Sequence, residues 1–501
     1  MTTRSKLLLA ALWLVWSLAL WSQTVNLPFF DEWFFLPDLD NYVHGKSSLL
    51  DTVLRPHCEH RMIASKIFLC LVGPAIDFDL RLVCATSLAV LGATSVLLIR
   101  TLRLGLLPAF AGLALLLSLT AWENLVWAWQ LQVFLAIGLG ACGMAWELRA
   151  KNIGSLTVAM ALLVTSGLSY AAGFGFAAAT AVSCWLRRKP TRGIGILAAA
   201  IVAMTVHWLT LPKKAIQTGT VDWSDWSRIG EFLLSYVTMP IGGPFLGIVV
   251  RIAEVGVLAG ILCFGMIRLV RRPAEKRLAF AVGLCLAGLA AGCAIAFGRA
   301  TSGDTGSTSR YATFAVISWI GIVGVVSTLP VTKWTRVAIW AIALAAIGAS
   351  LESSGDLIHR ARFLARSRAA LFSGTQVSFS LLRGNTSDVQ VVTNGLEILR
   401  RNAWCEVSTP REPEGSARLV VRFDADSCNL DATGVPPGNV LQLLGHVGDQ
   451  EIVLKTGVAD KQGRGRLVLP EQQARIADRF VLRWVDEHIA MRSLEGVVDG
   501  R

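Results

Sequence analysis

The chain has 501 residues, of which 53% are hydrophobic and only 16% charged, and its mean hydropathy is +0.55. That balance excludes an ordinary soluble domain and points to a polytopic membrane protein. The formal charge of +12 would suit nucleic acid, but Lys and Arg fall in small clusters between apolar runs, where they act as topology signals.

The first apolar run, residues 7–25, follows Arg4 and Lys6. It is longer than a signal-peptide core and no small-x-small cleavage site follows, so an uncleaved membrane anchor is expected. A long loop, 26–81, comes next and carries "FFDEW", with Asp31 and Glu32 among Phe29, Phe30, Trp33, Phe34 and Phe35, and later "HCEHR". Runs of spanning length follow at 82–99, 104–121 and 125–146, with "WEN" at 122–124 read as a short turn.

The run 156–186 is too long for one span and is interrupted at Ser166, Gly167, Ser169 and Tyr170, which predicts two short helices meeting near Tyr170. After a run at 194–211, the stretch 232–269 is broken by "PIGGP" at 240–244. Its first piece is too short to span and reads as interfacial or re-entrant. Arg251 and Glu254 in the second piece have the spacing of a local helical pair. Further runs lie at 278–297, 312–329 and 337–351, and "GRATSGDTGSTSRY" at 298–311 joins two of them.

Counted this way, about eleven transmembrane helices put every basic cluster in the cytoplasm: Arg4/Lys6, Arg100/Arg103, Arg149/Lys151, 187–192, 268–277 and Lys333/Arg336. The remaining loops then share the outer side. All four tyrosines fall near that face, and Tyr236, Trp223 and Trp226 are expected in an aromatic belt. An odd helix count also sends the C-terminal segment outward. It opens with the basic amphipathic stretch "HRARFLARSRAALF" and continues in short alternating runs such as "ARLVVRFDA" and "RFVLRWV". The expected fold is therefore an all-α polytopic membrane domain over 1–351, with its functional loop at 26–81, and a small β-rich soluble domain over 352–501. Cys405 and Cys428 are the only cysteines of that outer domain, and an oxidising compartment would link them.

An acidic pair at a membrane surface can be a plain polar loop whose acids cap a helix. Several elements together argue for chemistry: "FFDEW" after the first helix, "HCEHR" later in the same loop, "WENLVWAWQ" entering the fourth helix, and "GR" followed by "SRY" before the tenth. Over 1–351 these resemble the GT-C superfamily of glycosyltransferases, and more narrowly uncharacterised bacterial members and O-antigen-glucosylating relatives. Cys58 departs from the pattern, where Asn is expected.

The resemblance implies a bacterial inner-membrane enzyme with a cytoplasmic N-terminus and a periplasmic or extracellular C-terminal domain. It would move a sugar from a polyprenyl-phosphate donor to a cell-envelope glycan or lipid acceptor. Membrane lipids are the remaining partners, and nucleic acid is none. The fold would invert configuration in one displacement, without a covalent glycosyl-enzyme. A carboxylate must then take the acceptor's proton, and Asp31 is the candidate base with Glu32 beside it. The departing phosphate needs a cation in a poorly solvated place, for which Arg310 offers a bidentate fork and Tyr311 a hydroxyl.

Glu59, His60, Arg61 and Arg299 complete the expected substrate-binding set. Glu32 and Glu59 are suited either to acceptor binding or to holding a divalent cation with Asp31, and nothing in the sequence requires that cation. His57, Glu59 and His60 also have the chemistry of metal ligands, although hydrogen bonds within the loop would satisfy the same groups. Arg61 reads equally as a second phosphate contact and as a headgroup anchor. Glu123 and Asn124 either line the substrate cavity or bond between helices. The rival class is a transporter or flippase of a lipid-linked sugar, which needs outer-face charges and broken helices as well. Against it, the polar residues gather at one membrane face and no inverted repeat is evident. A scaffold presenting the C-terminal domain is a third reading, and it leaves the acidic pair without a purpose.

Overall fold

A computed structural model of the whole chain describes residues 1–57, 61–211, 226–242, 247–299, 305–372 and 389–406, together with the backbone of seven strands between 418 and 498. The helices run in the order α1 (Thr3–Trp21), α2 (Asp31–Val43), α3 (Leu49–Leu54), α4 (Ile63–Val72), α5 (Leu80–Leu102), α6 (Leu106–Leu116), α7 (Trp122–Val126), α8 (Leu131–Glu147) and α9 (Ile153–Ser169). They continue as α10 (Phe174–Leu186), α11 (Pro190–Leu209), α12 (Trp226–Thr238), α13 (Ile248–Arg271), α14 (Lys276–Arg299), α15 (Ser309–Val326), α16 (Lys333–Glu352), α17 (Ser354–Phe372) and α18 (Val389–Arg401). Among the described residues, nine helical stretches are long and apolar enough to cross a membrane. The protein is thus a mostly helical, multi-pass membrane protein.

Where the sequence predicts a break at Tyr170, α9 ends at Ser169 and the chain restarts as α10. The Ser166 hydroxyl donates to Ala136 O at 2.6 Å, tying the end of α9 to its neighbour. The break after α12 is also present: that helix is 13 residues long, about 20 Å, against 24 residues in α13. Two expectations are corrected. The span starting near 104 continues as one apolar helical stretch from Leu106 to Val126, of which α6 covers Leu106–Leu116, and within it "WEN" is not a turn but the start of α7, in which Asn124 is fully buried. Tyr236 is not in an interfacial belt: its ring is 0% exposed and its hydroxyl donates to Gly288 O at 2.7 Å. Arg251 donates to Ser235 Oγ at 2.5 Å, and its charge also acts on the Glu254 carboxylate of the same helix. Trp223 lies outside the described residues.

Contacts divide the chain into two compact units. The first comprises Met1–Thr24, Ser47–Val72 and Arg81–His359. Its centre is the antiparallel pair α14 and α15, with α10 packed on α14 and α8 on α9. Small residues let α14 and α15 meet backbone to backbone: a β-carbon at Gly321 would stand 2.5 Å from Cys285 N, and one at Gly288 2.2 Å from Ser318 Oγ.

The two ends of this bundle differ in chemistry. At one end the basic clusters are tied down. Arg187 and Glu147 form a buried ion pair at 2.6 Å, Arg268 binds Glu275 at 3.0 Å and Thr328 O at 3.1 Å, and Arg277 donates to Ser327 O at 2.6 Å. The other end gathers the "WEN" stretch, Tyr170 stacked on Phe314 at 5.5 Å, Trp319 donating to Val237 O, and the 305–311 segment. Loops far apart in sequence, all assigned to one face by the charge pattern, therefore do converge.

The second unit comprises Val25–Lys46, Gly73–Leu80 and Arg360–Arg501. Half of the first loop belongs to it. Trp33, Leu36 and Leu39 form a helical stripe on α2, each 0% exposed, and α18 lies against that stripe so closely that a β-carbon at Gly395 would meet the Trp33 ring at 2.6 Å. A polar lock closes the pair: Asp40 accepts from Arg401 at 2.6 Å and from Asn402 at 2.8 Å. Burial alone would raise the Asp40 pKa, but the Asn402 and Arg401 hydrogen bonds and the Arg401 charge outweigh it and hold the carboxyl below the usual carboxylate value. Arg368 donates to Asn26 O at 2.9 Å and Cys405 O at 3.2 Å, and Cys405 N–H reaches Asp77 O at 3.0 Å.

Further on, β1 (Arg418–Phe423), β2 (Ser427–Thr433), β3 (Val440–Val447), β4 (Gln450–Val458), β5 (Gly465–Pro470), β6 (Arg479–Val485) and β7 (Met491–Val498) pair in the order β4-β3-β6-β7-β1-β2-β5. The expected Cys405 to Cys428 disulfide involves a side chain outside the described residues. Cys405 itself is buried, with Sγ 3.3 Å from Phe78 O.

Candidate functional site

The expected site residues fall in both units. In the first, α15 begins at Ser309, and a helix start leaves backbone N–H groups without intrahelical partners. Glu123, at the head of α7, meets them from 186 residues away: its Oε2 accepts the Ser309 hydroxyl at 2.7 Å and the Arg310 N–H at 3.1 Å. A carboxylate is the favourable charge at that end of the helix dipole. Its neighbour Asn124 donates through Nδ2 to Arg310 O at 2.8 Å and to Thr313 Oγ1 at 2.6 Å. "WEN" therefore grips both backbone polar groups of Arg310. The Arg310 guanidinium lies over the Tyr311 ring at 5.3 Å. Tyr311 is 1% exposed and packs on Phe232 at 5.7 Å.

Beside this clamp lies a cavity of about 230 Å³, lined by Trp122, Glu123, Ser307, Thr308, Ser309 and Asp356 among others. Asp356 escaped the sequence reading, because nothing in "SSGDL" separates it from an ordinary first-turn acid of a helix. Arg61 is also in the first unit, where it donates to Thr210 O at 3.0 Å, to Thr210 Oγ1 at 2.5 Å and to Leu54 O. Those bonds make it a tie between the first loop and the end of α11. Arg299 is the last residue of α14. Glu59 and His60, with Cys58, lie outside the described residues, and so does the possible metal set with His57. Among the described residues no group of three His, Cys, Asp or Glu side chains is arranged to hold a metal ion.

In the second unit, Asp31 is the first residue of α2 and half-buried. The turn before it is strained: Phe30 has φ 44° and ψ −108°, a region that L residues with large side chains rarely occupy. Glu32 is 2% exposed and folds back so that Oε2 accepts the Phe29 N–H at 2.7 Å. The acidic pair thus splits into a half-buried Asp31 and a buried Glu32 that closes the turn. Arg360 of the C-terminal segment caps the same turn, with its guanidinium 3.6 Å from the Phe29 ring centroid. The only hint of this in the sequence was the basic stretch "HRARFLARSRAALF".

No family model matches the chain, and no curated protein or solved structure matches it.

Proposed function

We propose that the protein is a GT-C-type membrane glycosyltransferase that moves a sugar from a polyprenyl-phosphate donor to a cell-envelope glycan or lipid acceptor, by inverting displacement. The observation that carries the reading is the turn at Phe30. A strained backbone, a buried Glu32 and Arg360 over Phe29 all hold the start of α2, and the residue presented there is Asp31. Strain of this kind persists only where surrounding contacts enforce it, and it concentrates at functional sites. In this mechanism Asp31 accepts the acceptor hydroxyl's proton as the oxygen attacks the anomeric carbon, and the bond to phosphate breaks on the opposite face. Glu32 sets the angle of Asp31 and takes no proton. Arg310, gripped through its backbone and supported by Tyr311, stabilises the departing phosphate, with Arg299 and Arg61 as further cations at the same end of the bundle.

In the proposed orientation the basic clusters face the cytoplasm of a bacterial inner membrane, about eleven helices cross it, and the β-rich domain stands on the outer side.

The test is product formation by purified protein in detergent, where no separate compartments exist. The wild type forms a glycosidic product. Asp31→Asn keeps shape and hydrogen bonding but loses proton acceptance, so turnover falls by about two to four orders of magnitude while donor binding survives. Undiminished turnover in Asp31→Asn removes Asp31 as the base. No product with a verified donor favours a transporter of the lipid-linked sugar.

A further inference from the structure

The bundle carries an apolar groove that the sugar-transfer reading does not use. It is a cavity of about 590 Å³ between α1 and α5, with Leu9, Ala10, Trp13, Ala93 and Val96 among its lining residues. Trp13 rests flat on α5 because position 92 is glycine: a β-carbon there would stand 2.7 Å from Trp13 Cζ2. Below Trp13 the space continues as a second cavity of about 310 Å³ that shares Trp13 and Leu113 and is bounded by Trp16 and Leu117. There the Trp16 indole donates to Leu117 O at 2.8 Å and joins α1 to the end of α6. At the opposite, upper mouth the lining changes character, and Lys6 and Arg100 stand there together.

We propose that this groove is a binding site for an anionic phospholipid. The phosphate sits between Lys6 and Arg100 and one acyl chain runs down the groove past Trp13. Two features support that occupant. Charge complementarity is the first, since both basic side chains are exposed at the mouth and no acid lines it. Length is the second: Lys6 and Trp16 are ten residues apart on one helix, about 15 Å of rise, which is half of a hydrocarbon core roughly 30 Å thick. The groove therefore matches one leaflet's chain, and its charged end coincides with the headgroup level. The lipid fills a gap that α1, whose outward face is largely exposed, leaves beside α5, and so seats α1 in the bundle.

The experiment is native mass spectrometry of the full chain, purified in mild detergent and supplied with equimolar phosphatidylglycerol and phosphatidylcholine of matched chains. The wild type retains phosphatidylglycerol. Neutralising both cations in Lys6→Gln/Arg100→Gln lowers that retention about thirtyfold, on the scale expected for losing two interfacial charges. Lys333→Gln/Arg336→Gln removes the same charge from another helix start and leaves retention unchanged. Ala93→Trp keeps both cations but fills the groove, and it also releases the lipid. An elution profile identical to the wild type shows that each variant is folded. Equal retention of the two lipids by the wild type, retention unchanged in the Lys6/Arg100 variant, or equal loss in the Lys333/Arg336 variant overturns the proposal. None of these readouts depends on sugar transfer.

Discussion

Asn124→Ala tests the clamp at the start of α15 most directly. The side chain is 0% exposed and makes two hydrogen bonds, to Arg310 O at 2.8 Å and Thr313 Oγ1 at 2.6 Å. At about 1 kcal/mol for each net bond, with a further penalty for the carbonyl and hydroxyl left buried without a donor, the loss is about 2–3 kcal/mol. For a bundle of this size that corresponds to a fall of about 3–4 °C in Tm. Asn124→Asp is the sharper variant, because it keeps the shape but turns a donor into a carboxylate facing the Arg310 carbonyl. It should lose more than the alanine, since a buried charge without a cation is added to the missing bond. Thr313→Val removes one of the two bonds, so Asn124→Ala in that background should cost about 1 kcal/mol less than in the wild type. The assay is tryptophan fluorescence on heating in detergent, read alongside the fraction remaining monodisperse. An Asn124→Asp protein as stable as the wild type, or strict additivity of Asn124→Ala with Thr313→Val, would refute the clamp.

Two further predictions concern the second unit. The Asp40 carboxyl is held below its usual value by Asn402 and Arg401 despite its burial, so its contribution to stability is complete above the unfolded value of about 3.9 and is lost as pH falls through the lower folded value. Hydrogen exchange in α18 should therefore speed up as pH drops below about 4, once corrected for the intrinsic pH dependence of exchange, and Arg401→Gln should shrink that acid response; a response as large in the variant as in the wild type would count against the lock. The proposed orientation places Arg501 outside the cytoplasm. A reporter enzyme fused there that works only in the cytoplasm should be silent, and strong activity would reverse the assignment.

Much of the membrane domain was legible in the order of residues alone. Apolar runs long enough to cross a bilayer stand out because hydrocarbon tolerates little else, and the breaks at Tyr170 and after α12 are marked by small and turn-forming residues. The charge pattern put "WEN", Tyr170 and the segment before α15 on one side, and in the structure these three do meet at one end of the bundle. The sequence also singled out Asp31 and Arg310 as site candidates, because an acid among aromatics and an arginine before a buried tyrosine are costly at a membrane surface unless used. Only the tertiary structure decided what holds them. Glu123 and Asn124 act on Arg310 across 186 residues, the C-terminal Arg360 braces the turn before Asp31, and Glu32 is folded inward as a strut. Such partners leave no periodic trace: a carboxylate reads the same whether it caps a distant helix, closes its own turn or waits for a proton, and which of these it does depends on what the fold places within 3 Å of it.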